Sequence, residues 1–215
     1  MIRVWGRRNS FNVQKVLWLI GELGLEYEHV PAGGSFGRLE QPEFLSLNPH
    51  GRVPVIDDGG VTIWESHAIL RYLAARYGGS AFWNDDPVAR SRVDRWMDWS
   101  QTTLQPELLN GVFWGYFRTP PAQRDAAGVE GSVRRCAHYY RLLDGLLGRE
   151  PLLGDKEPSL ADIPIGASLY RYFEMDIERP QIPQVEAWYR RLQQRSAYCE
   201  HVMVSFEDLR GRLDY

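Results

Sequence analysis

The hydrophobic rhythm of the chain changes once along its length. In the first half short apolar runs alternate with helical stripes. Ile2 to Trp5 is short and β-prone, and Val13, Val16, Leu17, Ile20 and Leu23 then recur at the i, i+3, i+4, i+7 spacing of one helix face. Gly24 stands where that helix should close. Tyr27 to Val30 predicts a second strand, and a glycine-rich stretch without a clear pattern runs from Ala32 to about Gln41. Val53 to Ile56 and Val61 to Trp64 predict two strands joined through Asp57-Asp58-Gly59-Gly60, a strong hairpin signal. Ile69, Tyr72, Leu73 and Tyr77 predict a helix after them. The order is βαβ followed by ββα.

From Gly78 to Pro87 the chain is turn-rich, and beyond it only helical spacing remains. Val93, Trp96, Met97, Ser100 and Leu104 form one stripe, which Pro106 is expected to interrupt or kink. Leu108, Leu109, Val112 and Phe113 follow, and Val133, Cys136, Ala137, Tyr140, Leu143 and Leu147 make the cleanest face. Segments beginning at Pro158 and Pro183 supply two more helices. The expected organisation is an α/β domain over residues 1–78, a linker over 79–87 and an all-α helical bundle over 88–215.

Composition narrows the chemistry. Hydrophobic residues at 44% and charged residues at 25% describe an ordinary soluble globular protein, long enough at 215 residues for two domains. A net charge of −3 gives no basic field for nucleic acid. No apolar run is long enough for a membrane span, and charges stand where a signal peptide's apolar core would lie. Two cysteines, Cys136 and Cys199, without a CxxC pair or a His-rich segment, predict neither a disulfide scaffold nor a metal site. The expected location is the reducing cytoplasm. Cys136 falls on a helix stripe and is expected to be a buried thiol.

Two local patterns have a structural explanation of their own. Ser159 and Asp162, three residues apart ahead of an apolar run, form the pattern of a capping box, and no histidine nearby could make the serine a nucleophile. Ser10, ahead of the first helical stripe, has the place of an N-cap, as does Asn12 two residues later.

The run "VPVIDDGGVTIWESHAI", its distance from the N-terminus, and "SLADI" in the second half together resemble the cytosolic glutathione transferases. The resemblance covers nearly the whole chain. "NSFNVQKVLW" is most similar to the serine-type (phi- or theta-like) branch with a Ser-x-Asn-Val start, found in plants and bacteria. It implies a thioredoxin-like first domain, an all-helical second domain and a homodimer. It also implies glutathione as co-substrate, with no permanently bound cofactor, and a small hydrophobic electrophile.

Glutathione must become a thiolate to attack an electrophile, and a free thiol with a pKa near 8.5 is mostly protonated at neutral pH. A hydroxyl donor at a helix N-terminus favours the anion through a charge-assisted bond and the positive end of the helix dipole. The resemblance makes Ser10 that donor, with Asn12 as the competitor and Phe11 facing the electrophile pocket or the cleft between the halves. It implies a cis Val53-Pro54 peptide, with the backbone of Val53 pairing with the cysteinyl residue of glutathione. It further implies Glu65 and Ser66 at the γ-glutamyl end, whose carbon carries both an ammonium and a carboxylate. For the glycyl carboxylate, Arg52, His50 and Arg38 are the candidates, because Leu39 and Glu40 stand where serine-type relatives can have His-Lys. Among the aromatic residues after the linker, Trp96 and Phe113 are expected in the core. Trp114, Tyr116 and Phe117 fall partly off the stripe and are expected to line the electrophile pocket. A glutathione-dependent disulfide reductase or peroxidase, and a non-catalytic glutathione- or ligand-binding protein, are the alternatives on the same fold.

Overall fold

The structure is a computed structural model and describes residues 1–147, 149, 153 and 157–213. The remaining residues of the expected 88–215 domain lie outside the described ones. By internal contacts the chain divides into two units, residues 1–84 with 196–204, and residues 85–195 with 205–213.

The first unit is built on four strands, β1 (Ile2–Trp5), β2 (Tyr27–Val30), β3 (Val55–Asp58) and β4 (Val61–Trp64), in the spatial order β2-β1-β3-β4. The β1–β2 pair is parallel, as a crossover through the helix α1 (Phe11–Glu22) requires, and the other two pairs are antiparallel. β3 begins two residues later than the apolar run suggests. Pro54 has no N–H to give to a ladder, so pairing starts at Val55. Only Gly59 and Gly60 stand outside the hairpin ladder, at φ 62° and 93°. A two-residue turn of this hand needs positive φ at both positions, which glycine adopts without strain.

α1 is buried far beyond a single stripe. Val13, Val16, Leu17 and Ile20 are at most 1% exposed, but so are Gln14, Lys15, Trp18 and Leu19. The reason is that α1 packs against both α3 (Ser66–Tyr77) and α9 (Ser196–His201). Trp18 meets Tyr198 edge-on at 4.9 Å, and Gln14 Nε2 donates to the carbonyl of Val202 at 3.2 Å. These contacts place 196–204 in the first unit, whereas hydrophobic rhythm alone assigned it to the second. At its end the amides of Gly24 and Leu25 bond back to Gly21 and Ile20, closing α1 at the expected glycine. A short helix absent from the sequence reading, α2 (Pro42–Leu47), buries Phe44 against Ala32 and Val55, with Trp5, Leu39 and Trp64 around them. Alternation along the strands turns Val4 and Ile56 to the opposite face, where both are fully buried. Each such core side chain contributes about 1.5–3 kcal/mol.

The second unit is helical, with α4 (Gly79–Phe82) preceding it in the first unit. It contains α5 (Pro87–Trp99), α6 (Ala126–Leu146), α7 (Asp162–Glu174) and α8 (Pro183–Leu192). Asp86 caps α5 by accepting from the amides of Val88 and Ala89. Pro106 neither breaks nor stops the chain. Ser100–Leu104 and Pro106–Arg118 are wound as π-helix, and Gln105 between them keeps helical angles of −61° and −42°. The wider turn relieves the clash between a proline ring and the carbonyl four residues back.

Wider winding also advances each residue less around the axis, which returns Phe117 to the face of Leu108, Val112 and Phe113. Phe117 is 1% exposed, stacked on Phe113 at 5.4 Å and edge-on to Phe206 at 5.0 Å. It is a core residue, against the expectation that it lines a pocket. Trp96 and Phe113 are buried, as their spacing predicted. The capping box forms in part. Asp162 accepts from the Ser159 amide at 2.7 Å, while the Ser159 hydroxyl accepts from Ala161 at 3.1 Å. Cys136 is fully buried, and burial pushes its thiol up to about 12. No described helix is long and apolar enough to cross a membrane, and the described residues contain no cluster of potential metal ligands.

Candidate functional site

Strand register decides what meets at one end of the sheet. Trp5 pairs with Val30 on one side and Val55 on the other, and Val55 pairs with Trp64. The segment after β1, the segment before β3 and the segment after β4 therefore converge. They carry Ser10, Val53-Pro54 and Glu65-Ser66. The loop after β2, with Arg38, leaves from the same end. α1 and α3 both begin there, so two helix N-termini face one place, each a site that favours negative charge.

The turn leading to Ser10 is tightly fixed. The Gly6 amide donates to Val30 at 3.1 Å, His29 Nε2 donates to the Gly6 carbonyl at 2.7 Å, and the Ser10 amide donates to Arg7 at 3.0 Å. Gly6 has φ 154°, and a Cβ there would lie 2.4 Å from a methyl of Val13. Only glycine lets β1 run this close under α1. Ser10 occupies the N-cap position at φ −79° and ψ 123°, yet its hydroxyl caps no amide of the helix. Cap and donor were both open for this side chain, and the cap role is not taken. Asn12 is half-buried, and its Oδ1 is enclosed without a hydrogen-bond partner among the described residues. Phe11 is 5% exposed, with the Lys15 ammonium 4.6 Å from its ring centre.

Val53-Pro54 is a cis peptide, as the resemblance implied. The turn before it is organised by Asn48, a residue that the sequence reading passed over. Asn48 is 3% exposed, donates to the carbonyl of Arg52 at 2.8 Å and accepts from the His50 amide at 3.0 Å. An Asn followed by Pro and Gly is itself a turn signal, and could have been used. Arg52 and His50 are exposed on this turn, with His50 edge-on to Trp64 at 5.1 Å. Arg38 is exposed with φ 75°. Its neighbour Leu39 packs on the Phe44 cluster, so the position that can be His in serine-type relatives here serves packing.

Glu65 directly precedes α3 with φ 69° and ψ 114°, conditions in which a non-glycine residue is strained, and its side chain is exposed. Strain of this kind persists where the surroundings enforce it, and functional sites are its usual location. Ser66, 4% exposed, opens the helix. Two buried residues nearby escaped the sequence reading, Lys15 of α1 and His67 of α3, with Nζ and Nε2 3.3 Å apart. Burial lowers Lys15 to about 7, against the pull of the Glu65 carboxylate, and burial with the charges of Lys15 and Arg71 lowers His67 to about 2.

The remaining candidates lie in the second unit. Trp114 is half-buried, with the Arg118 guanidinium 3.8 Å from its ring centre, and Tyr116 is half-buried under the Arg124 guanidinium at 4.5 Å.

The family described as "Glutathione S-transferase, N-terminal domain" matches residues 1–75. Glutathione S-transferase GstB of Escherichia coli (strain K12) is 39% identical over 206 residues, 95% of this chain and 99% of its own. Glutathione S-transferase 3 of Zea mays is 29% identical over 94% of this chain and 93% of its own. Among solved structures, a theta class glutathione S-transferase of Xanthomonas axonopodis pv. citri with glutathione bound is 40% identical, with a TM-score of 0.87. That match covers 95% of this chain and 98% of the other. With the first 75 residues matched to the family's N-terminal domain and almost the full length matched to its members, the chain belongs to the glutathione S-transferase family.

Proposed function

We propose that the protein binds glutathione across the loop end of its sheet and transfers it, as thiolate, to a small hydrophobic electrophile. The observation that supports this is the register that brings the segments carrying Ser10, Val53-Pro54 and Glu65-Ser66 to the end of the sheet where α1 and α3 begin. The Ser10 hydroxyl, not engaged as a cap, donates to the glutathione sulfur. Each unit by which the thiol pKa falls requires about 1.4 kcal/mol of preference for the anion. The sulfur then forms a C–S bond to the electrophile, and the leaving group departs with the electron pair of the broken bond. The Val53 backbone pairs with the cysteinyl residue. The Glu65 carboxylate takes the γ-glutamyl ammonium, and the start of α3 at Ser66 takes the adjacent carboxylate. Arg52, His50 and Arg38 are the cations offered to the glycyl carboxylate. Neither cysteine lies in the converging segments, which favours thioether formation over mixed-disulfide chemistry. A cytoplasmic homodimer serving detoxification completes the assignment, following the resemblance.

The test is a paired assay of conjugation of a chloronitrobenzene and of glutathione-dependent reduction of a disulfide or hydroperoxide. Conjugation is expected, and Ser10→Ala should lower kcat/KM by about 10²–10³, the usual effect of removing one donor to a developing anion. Full activity in Ser10→Ala with none in Asn12→Ala would transfer the donor role to Asn12. Reduction without conjugation would establish the reductase or peroxidase instead. Glutathione binding without turnover would leave a binding protein.

A further inference from the structure

Lysine is rare in this chain. Only Lys15 and Lys156 occur among 25 Lys and Arg residues, and Lys15 is 1% exposed. Arginine, always charged and planar, serves elsewhere as the cation, whereas an ammonium can lose its proton when buried. Nζ of Lys15 stands 3.3 Å from Nε2 of His67 in the first turn of α3. When Lys15 is protonated its ammonium only donates, so Nε2 accepts and the neutral imidazole carries its proton on Nδ1. That Nδ1 is buried and has no hydrogen-bond partner among the described residues. Glu65, the residue before this turn, is exposed and held at positive φ. The Lys15 amine thus lies against the first turn of α3, and the Glu65 carboxylate just before that turn attracts it.

We propose that Lys15 is a positioning residue for the γ-glutamyl end of glutathione, acting through Glu65 and through His67 beneath the first turn of α3. The proposal rests on the glutathione reading above. Its charge orients the Glu65 carboxylate, so that the ligand's ammonium meets an acceptor already held in place. The bond to His67 fixes the turn that carries Ser66. The charged groups acting here are Glu65, just before α3, on Lys15 of α1, and Lys15 with Arg71 of α3 on His67. α9 brings Tyr198 and His201 to Trp18 and Gly21, further along α1. A lysine kept for stability alone would gain from its burial. Here burial outweighs the Glu65 attraction and lowers the ammonium to about 7.

Titration calorimetry with glutathione and with cysteinylglycine, which lacks the γ-glutamyl residue, tests the proposal on the full chain. Lys15→Met is expected to weaken glutathione about tenfold, in line with one charge-assisted contact. It should leave cysteinylglycine within about twofold, and should raise KM for glutathione with little change in kcat, the pattern of lost ground-state binding. Lys15→Arg should recover part of the preference, and Lys15→Met should add little in a Glu65→Gln background. A folded Lys15→Met that keeps the wild-type preference, or that weakens both ligands equally, overturns the proposal.

A second measurement needs no substitution. With ¹³C-labelled lysine the chain shows two lysine signals, and S-methylglutathione removes thiol titration from the experiment. If protonated Lys15 favours the ligand tenfold, the ligand must raise the Lys15 midpoint by about one unit, because coupling is reciprocal. An unmoved midpoint in the presence of bound ligand overturns the proposal even if no Lys15 variant folds. A wild type that binds no glutathione overturns the underlying reading, and this one with it.

Discussion

The two ends of α3 hold polar groups of opposite character. At its C-terminal end Asp58 Oδ2 accepts from Tyr72 at 2.9 Å and from Tyr77 at 2.7 Å, with Arg76 Nε at 3.3 Å. Burial raises the Asp58 carboxyl, but the two hydroxyl bonds and the Arg76 charge outweigh it and hold the group below its ordinary range. That cluster is complete within the chain. At the N-terminal end stand a buried lysine, a histidine whose enclosed Nδ1 has no partner among the described residues, and a glutamate in strained backbone. Polar groups that satisfy one another stabilise a fold. Polar groups held ready and incomplete are what a ligand site needs, and the fold bears the cost.

The largest effect that separates the two ends is the pH dependence of stability set by Lys15. An unfolded lysine holds its proton to about 10.5, while folded Lys15 releases it near 7. Between those values the unfolded chain binds more protons, so unfolding free energy rises with pH by up to about 1.4 kcal/mol per unit. The lowered histidines act below pH 7, and the raised Cys136 and tyrosines act above about 9. Denaturant unfolding at pH 7 and 8.5 should therefore show wild type gaining on the order of 2 kcal/mol relative to Lys15→Met. Equal pH dependence in the two proteins would mean that the lysine is not paying for its burial, and the contrast would collapse.

At the other end, Asp58→Asn keeps an acceptor and removes the charge. Bonds to a charged group exceed neutral ones by about 1 kcal/mol, so the unfolding free energy should fall by that amount. KM for glutathione should stay unchanged. A shift in KM as large as that of Glu65→Gln would show that the two ends of the helix are one site rather than two.

Much of this arrangement is legible in the sequence, and the exceptions have physical causes. Glycine pairs and apolar alternation located β1, β2, β4 and the hairpin, because a turn needing positive φ leaves few residue choices. Proline moved the start of β3, and a six-residue helix such as α2 is too short for periodicity to detect. The π-winding of Pro106–Arg118 changed which residues share a face, and Phe117 went to the core for that reason. Ser10, Val53-Pro54 and Glu65-Ser66 were singled out through resemblance, and the register brings their three distant segments to one end of the sheet. Lys15 and His67 were missed because a charged residue among apolar ones in a helix ordinarily faces water. Nothing local in the chain announces that α9 will cover the remaining side of α1.

Arg76 gives the smallest expected effect and the sharpest control. Its side chain is 53% exposed, although it touches Asp58 and donates to the Tyr77 hydroxyl at 2.9 Å. An exposed guanidinium loses most of its attraction to solvent and salt, and holding a long side chain in one place costs conformational freedom. The Asp58 carboxylate is held chiefly by the two tyrosine hydroxyls, which remain when the arginine is removed. Arg76→Met should therefore shift the denaturation midpoint no more than about 0.5 M NaCl shifts that of the wild type, since salt at that level screens the same exposed charge. A larger loss would mean that the Asp58 carboxylate depends on an ion pair rather than on its hydroxyl donors. The C-terminal cluster would then be as dependent on a neighbouring cation as Glu65 is on Lys15.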